Sequence, residues 1–412
     1  MNTNKILKIS GGKIISGGNV LTSKCLYIQD GKILRITDAN ENIGAVYSPI
    51  EKIEIDANGC YISAGFIDMH THGGGGADFM DGGIEPIEQA AAVHLAHGTT
   101  SILPTSLACS HSTLKEFLAD LKQVMQTQAV QNDMGKPNRT LPNIIGAHLE
   151  GPYFSMNQRG AQNPDYIKSP HMEEVEEYES IIDFAGGIIK RWSFAPELCG
   201  SVEFGKTLVR HNIIPAIAHS DAVYSDIQTI YDAGCRLVTH FYSCMSTITR
   251  RGGFRELGVI ESAYLIDNMD VEIIADGKHL PPELLRLICK QKNLARICLV
   301  TDSMRGAGMS DGPSLLGRLS ESMPCIIEDG VAKLPDRSAF AGSVATADML
   351  IRTMIKHANI SIVDAVGMMT RNPARILNLN FKGDIREGFD ADIVSFDENI
   401  NIKDVIVRGE IL

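Results

Sequence analysis

The sequence predicts an α/β fold, a (β/α)8 TIM barrel with a small β-sandwich domain formed by the N- and C-terminal segments. Three observations predict it: both ends read as short strands, the middle alternates apolar runs with helical stretches, and several of those runs end in side chains that can bind a metal. We expect the first half of the sandwich over residues 1–62, the barrel over 63–375 and the second half of the sandwich over 376–412.

The two ends of the chain share one pattern of alternating apolar and polar residues broken by turns. Asp30-Gly31 and Asn58-Gly59 are good turn signals in the first sixty residues. The segment from Gly383 to Leu412 again reads as short strands and turns. Because both β-rich ends flank a long middle, we expect them to build one small sandwich together.

The pattern of apolar and polar residues changes in the middle of the chain. Apolar runs such as IIPAIAHS and RICLVTD alternate with helix candidates such as LKEFLADLKQVMQTQ. Nearly uniform apolar strands between helices are typical of a parallel sheet that helices cover. Seven or eight such units over about 300 residues fit a barrel better than an open sheet. A Rossmann fold would also need a G-x-G-x-x-G motif, and the glycine run after His72 does not match it.

Composition excludes several classes of protein. The chain has 412 residues and a formal net charge of −12, and an acidic surface is a poor partner for nucleic acid. No apolar stretch approaches the roughly 18–20 residues that span a bilayer, and the N-terminal MNTNKILKIS lacks the apolar core of a secretory signal. The nine cysteines form no C-x-x-C pair, which argues against a disulfide framework. We therefore expect a cytoplasmic protein with no nucleic-acid or membrane partner.

Five apolar runs end in side chains that can bind a metal, and the carboxyl ends of barrel strands share one mouth. The residues are His70 and His72 in one run, and Glu150, His219, His240 and Asp302 in four others. In the H-x-H pair both imidazoles face inward, because strand side chains alternate. Imidazole and carboxylate ligands suit Zn²⁺ or Fe²⁺. Six ligands exceed the four of one tetrahedral ion, so we expect one or two divalent ions per subunit, with Glu150 able to bridge two.

Other histidines have a simpler interpretation. His148 lies two residues before Glu150 and so faces inward one layer deeper, where it can pack or orient a ligand. His94 and His97 lie on a predicted helix that ends at Gly98, and we expect them to be solvated or to cap that helix. A single histidine at a strand end is more often structural than a ligand, but five matching strand ends favour a metal centre.

Finer motifs identify a family. The chain contains H-L-E-G-P at 148–152 and D-G-K-H at 276–279, together with the ligand order H-x-H, Glu, His, His, Asp. Over nearly its whole length it resembles the N-acetylglucosamine-6-phosphate deacetylase family of the amidohydrolase superfamily. Related branches of that superfamily have a lysine at the bridging position. Glu150 stands there in this chain and favours the deacetylase branch.

The resemblance implies a metal-dependent amide hydrolase that removes acetate from N-acetyl-D-glucosamine 6-phosphate to give glucosamine 6-phosphate in amino-sugar catabolism. It places Glu150, His219 and His240 on the principal metal and makes Asp302 the general base. His70 and His72 would complete a second metal site with Asp302. One alternative is a deacetylase of N-acetylgalactosamine 6-phosphate or of an unphosphorylated N-acyl amino sugar. Another is a sugar-phosphate sensor without catalysis, which would lack a ligand or the base, and none is missing.

Three positions depart from the family pattern where it contacts the sugar or the scissile carbonyl. Gln162 stands where the family usually has a histidine on the carbonyl, and an amide can still donate to an oxyanion. Ser243 and Cys244 replace an Asn-Ala pair that contacts the sugar phosphate in the family. We expect Gln162 to be catalytic, and Ser243 and Cys244 to bind substrate.

The resemblance also implies a basic cluster and a subunit interface. Counting from His240, Arg251 aligns with the family arginine that binds phosphate, and allowing a short insertion Arg255 aligns instead. With Arg250 these residues would favour an anionic amino-sugar phosphate. His279 matches a family residue that reaches the substrate of the neighbouring subunit, which implies a homodimer with shared sites.

Overall fold

The computed structural model describes residues 5–41, 51–134 and 140–412. Its N-terminal part consists of strands, and the predicted turns lie between them. The strands are β1 (Lys5–Ser10), β2 (Lys13–Ser16), β3 (Asn19–Leu21), β4 (Lys24–Gln29), β5 (Lys32–Asp38), β6 (Glu51–Asp56) and β7 (Tyr61–Ala64). Asp30 and Gly31 both have positive φ and form the hairpin turn between β4 and β5. Asn58 and Gly59 also have positive φ and form a turn between β6 and β7, which belong to different sheets.

The middle of the chain forms a nearly closed parallel barrel, with short strands in its loops. The strands from Phe66 to Leu299 are β8 (Phe66–Thr71), β9 (Gly73–Gly74), β10 (Ala77–Asp78), β11 (Thr99–Ser106), β12 (Asn143–Ile144), β13 (Ala147–Glu150), β14 (Ile189–Phe194), β15 (Ile214–Ile217), β16 (Leu237–Val238), β17 (Thr249–Arg251), β18 (Phe254–Glu256), β19 (Asp270–Ile273) and β20 (Ile297–Leu299). The barrel order is β8-β11-β13-β14-β15-β16-β19-β20, and every pair in it is parallel. Just beyond β20, the Asp302 amide donates to the His70 carbonyl at 2.9 Å, which links the last strand to the first.

Helices cover the outside of the barrel with their apolar faces inward. They are α1 (Ile84–Ala96), α2 (His111–Asp133), α3 (Val175–Ala185), α4 (Ser201–Arg210), α5 (Tyr224–Asp232), α6 (Val259–Leu265), α7 (Pro282–Gln291), α8 (Ala347–Ala358), α9 (Ile362–Met369) and α10 (Arg371–Ile376). In α2 the buried residues Leu114, Leu118 and Leu121 share one face. The side chain of Ser110 caps this helix by accepting from the Thr113 amide. No helix in the three described ranges is long and apolar enough to cross a membrane.

An antiparallel sheet that the sequence did not predict follows β20. It consists of β21 (Gly312–Leu316), β22 (Met323–Glu328) and β23 (Val331–Lys333). Leu316, Cys325 and Ile327 form a small apolar cluster with Met304, which lies two residues after Asp302. The sheet is therefore packed beside the carboxyl ends of the barrel strands.

The C-terminal strands complete the sandwich. They are β24 (Ile393–Phe396), β25 (Ile402–Val407) and β26 (Glu410–Ile411), and β24 pairs with β7 of the N-terminal segment. The sheet β26-β25-β24-β7-β2-β3 and the sheet β5-β4-β1-β6 share an apolar core that includes Leu26, Ile62 and Ile393. The predicted barrel with a sandwich made from both ends is confirmed. The domain boundaries after residues 62 and 375 stay a prediction.

Candidate metal centre and active site

The six predicted metal ligands converge at the carboxyl ends of the barrel strands. His70 lies in β8, which ends at Thr71, and His72 follows directly. The Thr71 side chain faces outward, where its hydroxyl lies 3.2 Å from His94 Nε2 on α1. Both imidazoles of the H-x-H pair consequently face the barrel interior, as strand alternation predicts. Glu150 is the last residue of β13 and is 2% exposed.

The other three ligands stand just beyond their strands in an unusual backbone conformation. His219, His240 and Asp302 have φ values of 46°, 28° and 48°. Positive φ is uncommon for residues with a Cβ, and such strain concentrates at functional sites. It turns the chain sharply where the strand ends, and all three side chains lie close to Glu150 or to the H-x-H pair.

Two sets of three ligands share Glu150. In one set, His70 Nε2 lies 3.5 Å from Glu150 Oε1 and His72 Nε2 lies 3.4 Å from Glu150 Oε2. In the other, Oε1 lies 3.0 Å from His240 Nε2 and 3.7 Å from His219 Nε2. All ligand atoms within each set are within 4.8 Å of one another. Asp302 Oδ1 joins the first set, at 3.3 Å from His70 Nε2 and 3.2 Å from His72 Nε2.

These distances fit divalent cations held by nitrogen and oxygen. Ligand atoms about 2.0–2.2 Å from a tetrahedral ion are separated by about 3.4 Å, close to the spacings in both sets. The nitrogens of His70 and His72 face each other at 3.3 Å, as do those of His219 and His240 at 3.2 Å. Such pairs are explained when each nitrogen directs its lone pair at a shared cation.

The electrostatics of the centre also favour positive charge. Burial by itself lowers the pKa of the His72 imidazole, but the carboxylates of Asp302 and Glu150 outweigh burial and raise this pKa to about 10. Carboxylates buried this deeply need a nearby cation, and a bound divalent ion would supply that charge.

Three of the four imidazoles are oriented through their second ring nitrogen. His72 Nδ1 lies 3.2 Å from the Thr105 carbonyl, and His219 Nδ1 lies 2.8 Å from the Gln158 carbonyl. His70 Nδ1 faces the carboxylate of Glu272 at 3.5 Å. A proton held on Nδ1 leaves the lone pair on Nε2, which is the arrangement of histidines that bind metals.

Comparison with known proteins places this site in a family. The model of the amidohydrolase family matches residues 61–412. The chain belongs to the amidohydrolase family. It is therefore a hydrolase that acts on an amide bond, as its sequence predicted.

The chain is also similar to deacetylases over nearly its full length. The chain is 31% identical to an N-acetylglucosamine-6-phosphate deacetylase of Lysinibacillus sphaericus, covering 94% of this chain and 92% of the relative. It is 27% identical to an N-acetylgalactosamine-6-phosphate deacetylase of Escherichia coli O157:H7, covering 95% and 99%. A mutant N-acetyl-D-glucosamine-6-phosphate deacetylase from Mycobacterium smegmatis, solved in complex with N-acetyl-D-glucosamine-6-phosphate, superimposes with a TM-score of 0.85 at 26% identity over 98% of both chains.

A cavity of about 280 Å³ opens onto the predicted metal ligands of this amidohydrolase. His72, Glu150, His219, His240 and Asp302 line its inner end, and His70 lies behind them with no exposed surface. The remaining walls include the predicted residues Gln162, Ser243, Cys244 and His279. The structure thus brings four of the six predicted catalytic and substrate-binding residues outside the metal ligands to one cavity.

Gln162 contacts the shared metal ligand directly. Its Nε2 donates to Glu150 Oε2 at 2.8 Å, while its Oε1 accepts from the Ala108 amide at 2.8 Å. These two bonds fix which end of the amide faces the centre. An amide nitrogen carries two N–H groups, so the second N–H remains for a substrate oxygen in the cavity.

The arginine cluster lies away from the cavity. Arg250, Arg251 and Arg255 belong to the β17–β18 hairpin, in which Arg250 pairs with Arg255. The Arg251 side chain is 76% exposed, and its Nε lies 3.3 Å from Glu256. None of the three lines the cavity in the described part of the chain. Their role in binding phosphate stays a prediction.

His279 lies in the cavity of its own chain. Its Nδ1 pairs with Asp276 at 2.7 Å, and its ring packs against Phe340 with centroids 4.7 Å apart. The resemblance to the deacetylase family implied that this residue reaches the substrate of a partner subunit. The structure gives it a position in the wall of its own site, and a contribution to a partner's site stays a prediction.

Two predictions for the remaining histidines have different outcomes. His148 is fully buried and packs against the His70 ring, as predicted. Its Nδ1 lies 3.2 Å from Thr105 Oγ1 and its Nε2 lies 2.7 Å from Ser193 Oγ. The prediction for His94 was wrong. It is fully buried, its Nε2 lies 2.9 Å from the Gly73 carbonyl, and burial lowers its pKa to about 4. The neutral ring therefore braces the glycine loop that follows the H-x-H pair.

Sequence reasoning missed two charged residues behind the ligands. Arg191 on β14 and Glu272 on β19 are fully buried in the barrel and form an ion pair beside His70. The signal was a charged residue inside an otherwise apolar strand, as in Val271-Glu272-Ile273. It also missed the apolar walls from Leu316 and Phe340, which come from the unpredicted sheet and the loop after it.

Proposed function

We propose that this protein removes acetate from N-acetyl-D-glucosamine 6-phosphate to give glucosamine 6-phosphate in amino-sugar catabolism. The observation that supports it most is the pair of ligand sets sharing Glu150, with Asp302 beside them at the inner end of a cavity. The two relatives named above are deacetylases of N-acetyl amino-sugar phosphates, and the solved structure named above binds N-acetyl-D-glucosamine-6-phosphate. The cytoplasmic location expected from the sequence stays a prediction.

The residues of the site suggest how the amide bond is broken. Divalent cations bound by the two sets would polarise the acetyl carbonyl and lower the pKa of a water molecule. Burial by itself raises the pKa of the Asp302 carboxyl, but His70 and His72 outweigh it and lower this pKa to about 2. Asp302 is thus ionised and can take the proton of the attacking water, then give it to the leaving amine. Gln162 would donate to the oxygen that gains negative charge.

We infer that the cofactor is Zn²⁺ or Fe²⁺, with up to two ions per subunit, because the donors are imidazoles and carboxylates without thiolate in either set. The test is protein stripped with a chelator, reloaded with Zn²⁺, Fe²⁺ or Mn²⁺, and assayed for acetate release from N-acetyl-D-glucosamine 6-phosphate. We expect no turnover without metal and recovery with Zn²⁺ or Fe²⁺. Full activity of metal-free protein would contradict the proposal.

A second candidate is the deacetylation of a related N-acyl amino sugar. The E. coli O157:H7 relative supports N-acetylgalactosamine 6-phosphate. A specific observation favours an unphosphorylated analogue: no lysine or arginine lines the cavity within the described residues. Assays of the reloaded enzyme on all three compounds separate the candidates, since the preferred substrate has the highest kcat/KM.

The exposed hairpin gives a test of phosphate recognition. We expect either Arg251→Ala or Arg255→Ala to lower kcat/KM for the phosphorylated substrate. The fall should correspond to a loss of roughly 2–4 kcal/mol in transition-state stabilisation, because the negative charge of the phosphate is left without its arginine partner. The same variant should change little on the unphosphorylated sugar, and kcat should fall less than kcat/KM. If both variants change kcat/KM equally on the phosphorylated and the unphosphorylated sugar, the hairpin does not bind the phosphate.

We also propose a homodimer. In a dimer, the hairpin with its exposed Phe254 (80% exposed) can lie against a partner. An arginine of one subunit can then reach the cavity of the other, which no lysine or arginine lines within the described part of its own chain. Light scattering at micromolar concentration should report twice the subunit mass, and a monomer with full activity would contradict this arrangement.

A further inference from the structure

A buried ion pair lies behind the metal centre and has no part in the reaction described above. Arg191 and Glu272 extend from β14 and β19 into the barrel interior, and both side chains have no exposed surface. Arg191 Nη2 donates to Glu272 Oε2 at 3.1 Å, and Arg191 Nη1 donates to Glu272 Oε1. An apolar pair of the same volume would often be at least as stable. The pair therefore calls for an explanation other than stability.

Glu272 contacts an imidazole of one ligand set and only the backbone of the other. Its Oε2 lies 3.5 Å from His70 Nδ1, at the long end of the hydrogen-bond range, and 3.4 Å from the His240 backbone nitrogen. His70 Nε2 faces the other way, toward His72 and Asp302. A neutral imidazole has one N–H and one lone pair. A proton shared with Glu272 on Nδ1 leaves the lone pair on Nε2, where a cation would bind.

Arg191 fixes the position of Glu272. Its Nη2 also donates to Thr239 Oγ1 at 2.9 Å, and its Nη1 donates to the Met69 carbonyl at 3.3 Å. These bonds hold the guanidinium in one orientation, so the carboxylate that pairs with it is held too. The carboxylate also lies between the arginine charge and His70, which limits the repulsion that a cation on His70 would otherwise meet.

The other imidazoles lack such a partner. His72 and His219 are oriented by backbone carbonyls, and His240 Nδ1 has no hydrogen-bond partner among the described residues. A carboxylate makes a ligating imidazole more basic than a carbonyl does. The effect of the ion pair should therefore be concentrated on the set that contains His70.

We propose that Arg191 and Glu272 are positioning residues that set the tautomer and orientation of His70 and thereby hold the cation of the His70–His72 set. This inference rests on the proposed two-cation centre. It predicts that the two cations differ in their dependence on the pair, which a purely structural ion pair would not produce.

The test is metal binding by Glu272→Gln. In the wild type, both oxygens of the Glu272 carboxylate are acceptors, and together they face Arg191 and His70. The glutamine amide keeps only one oxygen, so its NH₂ group must face a donor of either Arg191 or His70. Metal-free protein is titrated with Zn²⁺ against a chromophoric chelator. We expect two equivalents in the wild type. In Glu272→Gln we expect one equivalent of unchanged affinity and a second that binds about 10- to 100-fold more weakly. Glu272→Asp, which keeps the carboxylate, should recover part of that loss.

The matched control is Asp270→Asn, two residues earlier on the same strand. Asp270 pairs with Arg375 at 2.6 Å toward the other end of the barrel, so this variant also removes a buried carboxylate from an arginine. It should leave both affinities unchanged. The positioning role would be overturned if Glu272→Gln and Asp270→Asn lost the same amount of Zn²⁺ affinity. It would also be overturned if Glu272→Gln and Glu272→Asp both bound two equivalents of Zn²⁺ with unchanged affinity. A wild type that binds one equivalent would instead overturn the two-cation centre.

Discussion

Asp302→Asn is expected to lower kcat by about a hundredfold or more, because it removes the group that accepts and returns the proton. The metal content should stay near that of the wild type, since each ligand set keeps three residues without Asp302. The asparagine keeps the shape of the side chain, so the cavity should be preserved. The measurement is steady-state turnover together with metal analysis of the same sample.

A control for the loss of a buried carboxylate is Asp384→Asn. Asp384 is 8% exposed and accepts from the Gly17 amide at 3.0 Å in the sandwich. That variant can lose stability but should keep kcat once folded. Near-normal turnover of Asp302→Asn would remove Asp302 from the mechanism, whereas loss of metal from this variant would show that Asp302 is also required to hold a cation.

His219→Ala and His240→Ala are expected to lose the principal metal together with activity. Each removes one of the three residues of its set, and both imidazoles lie within 3.7 Å of Glu150. A catalytic cation contributes several kcal/mol to the transition state. We therefore expect kcat/KM to fall by roughly a thousandfold or more, with less metal bound after gel filtration.

The control and the comparison use other histidines. His97→Ala removes an imidazole that pairs with Asp348 at 3.1 Å, outside the metal centre, and should change neither metal nor rate. His70→Ala or His72→Ala should be milder if the second cation is dispensable. Full metal occupancy in His219→Ala or His240→Ala would contradict the ligand assignment.

The sequence was sufficient where function depends on position within a strand. Alternation places His70 and His72 on the inner face with Thr71 on the outer face, and the structure shows this arrangement. The shared mouth of a parallel barrel also predicted that Glu150 would meet ligands from distant strands. These inferences need only the strand period and the direction of the strands.

The sequence was insufficient where a side chain meets partners from remote segments. His94 looked like an exposed helix residue, but its partners are Gly73 and Thr71 in the loop and strand that its helix covers. The sequence also did not show that Arg251, the residue expected to bind phosphate, is exposed and lies outside the lining of its own chain's cavity among the described residues. Loop direction depends on packing that no local pattern encodes.

By itself, the sequence determined the barrel, the sandwich made from both ends and the residues that can bind cations, because strand period, turn residues and strand ends are local properties. Only the tertiary structure decided that Arg191 and Glu272 lie behind His70 and that His279 lines the cavity of its own chain. The physical reason is that these contacts join residues from different strands and loops. Their distances are set by barrel closure and side-chain packing, which the order of residues does not display.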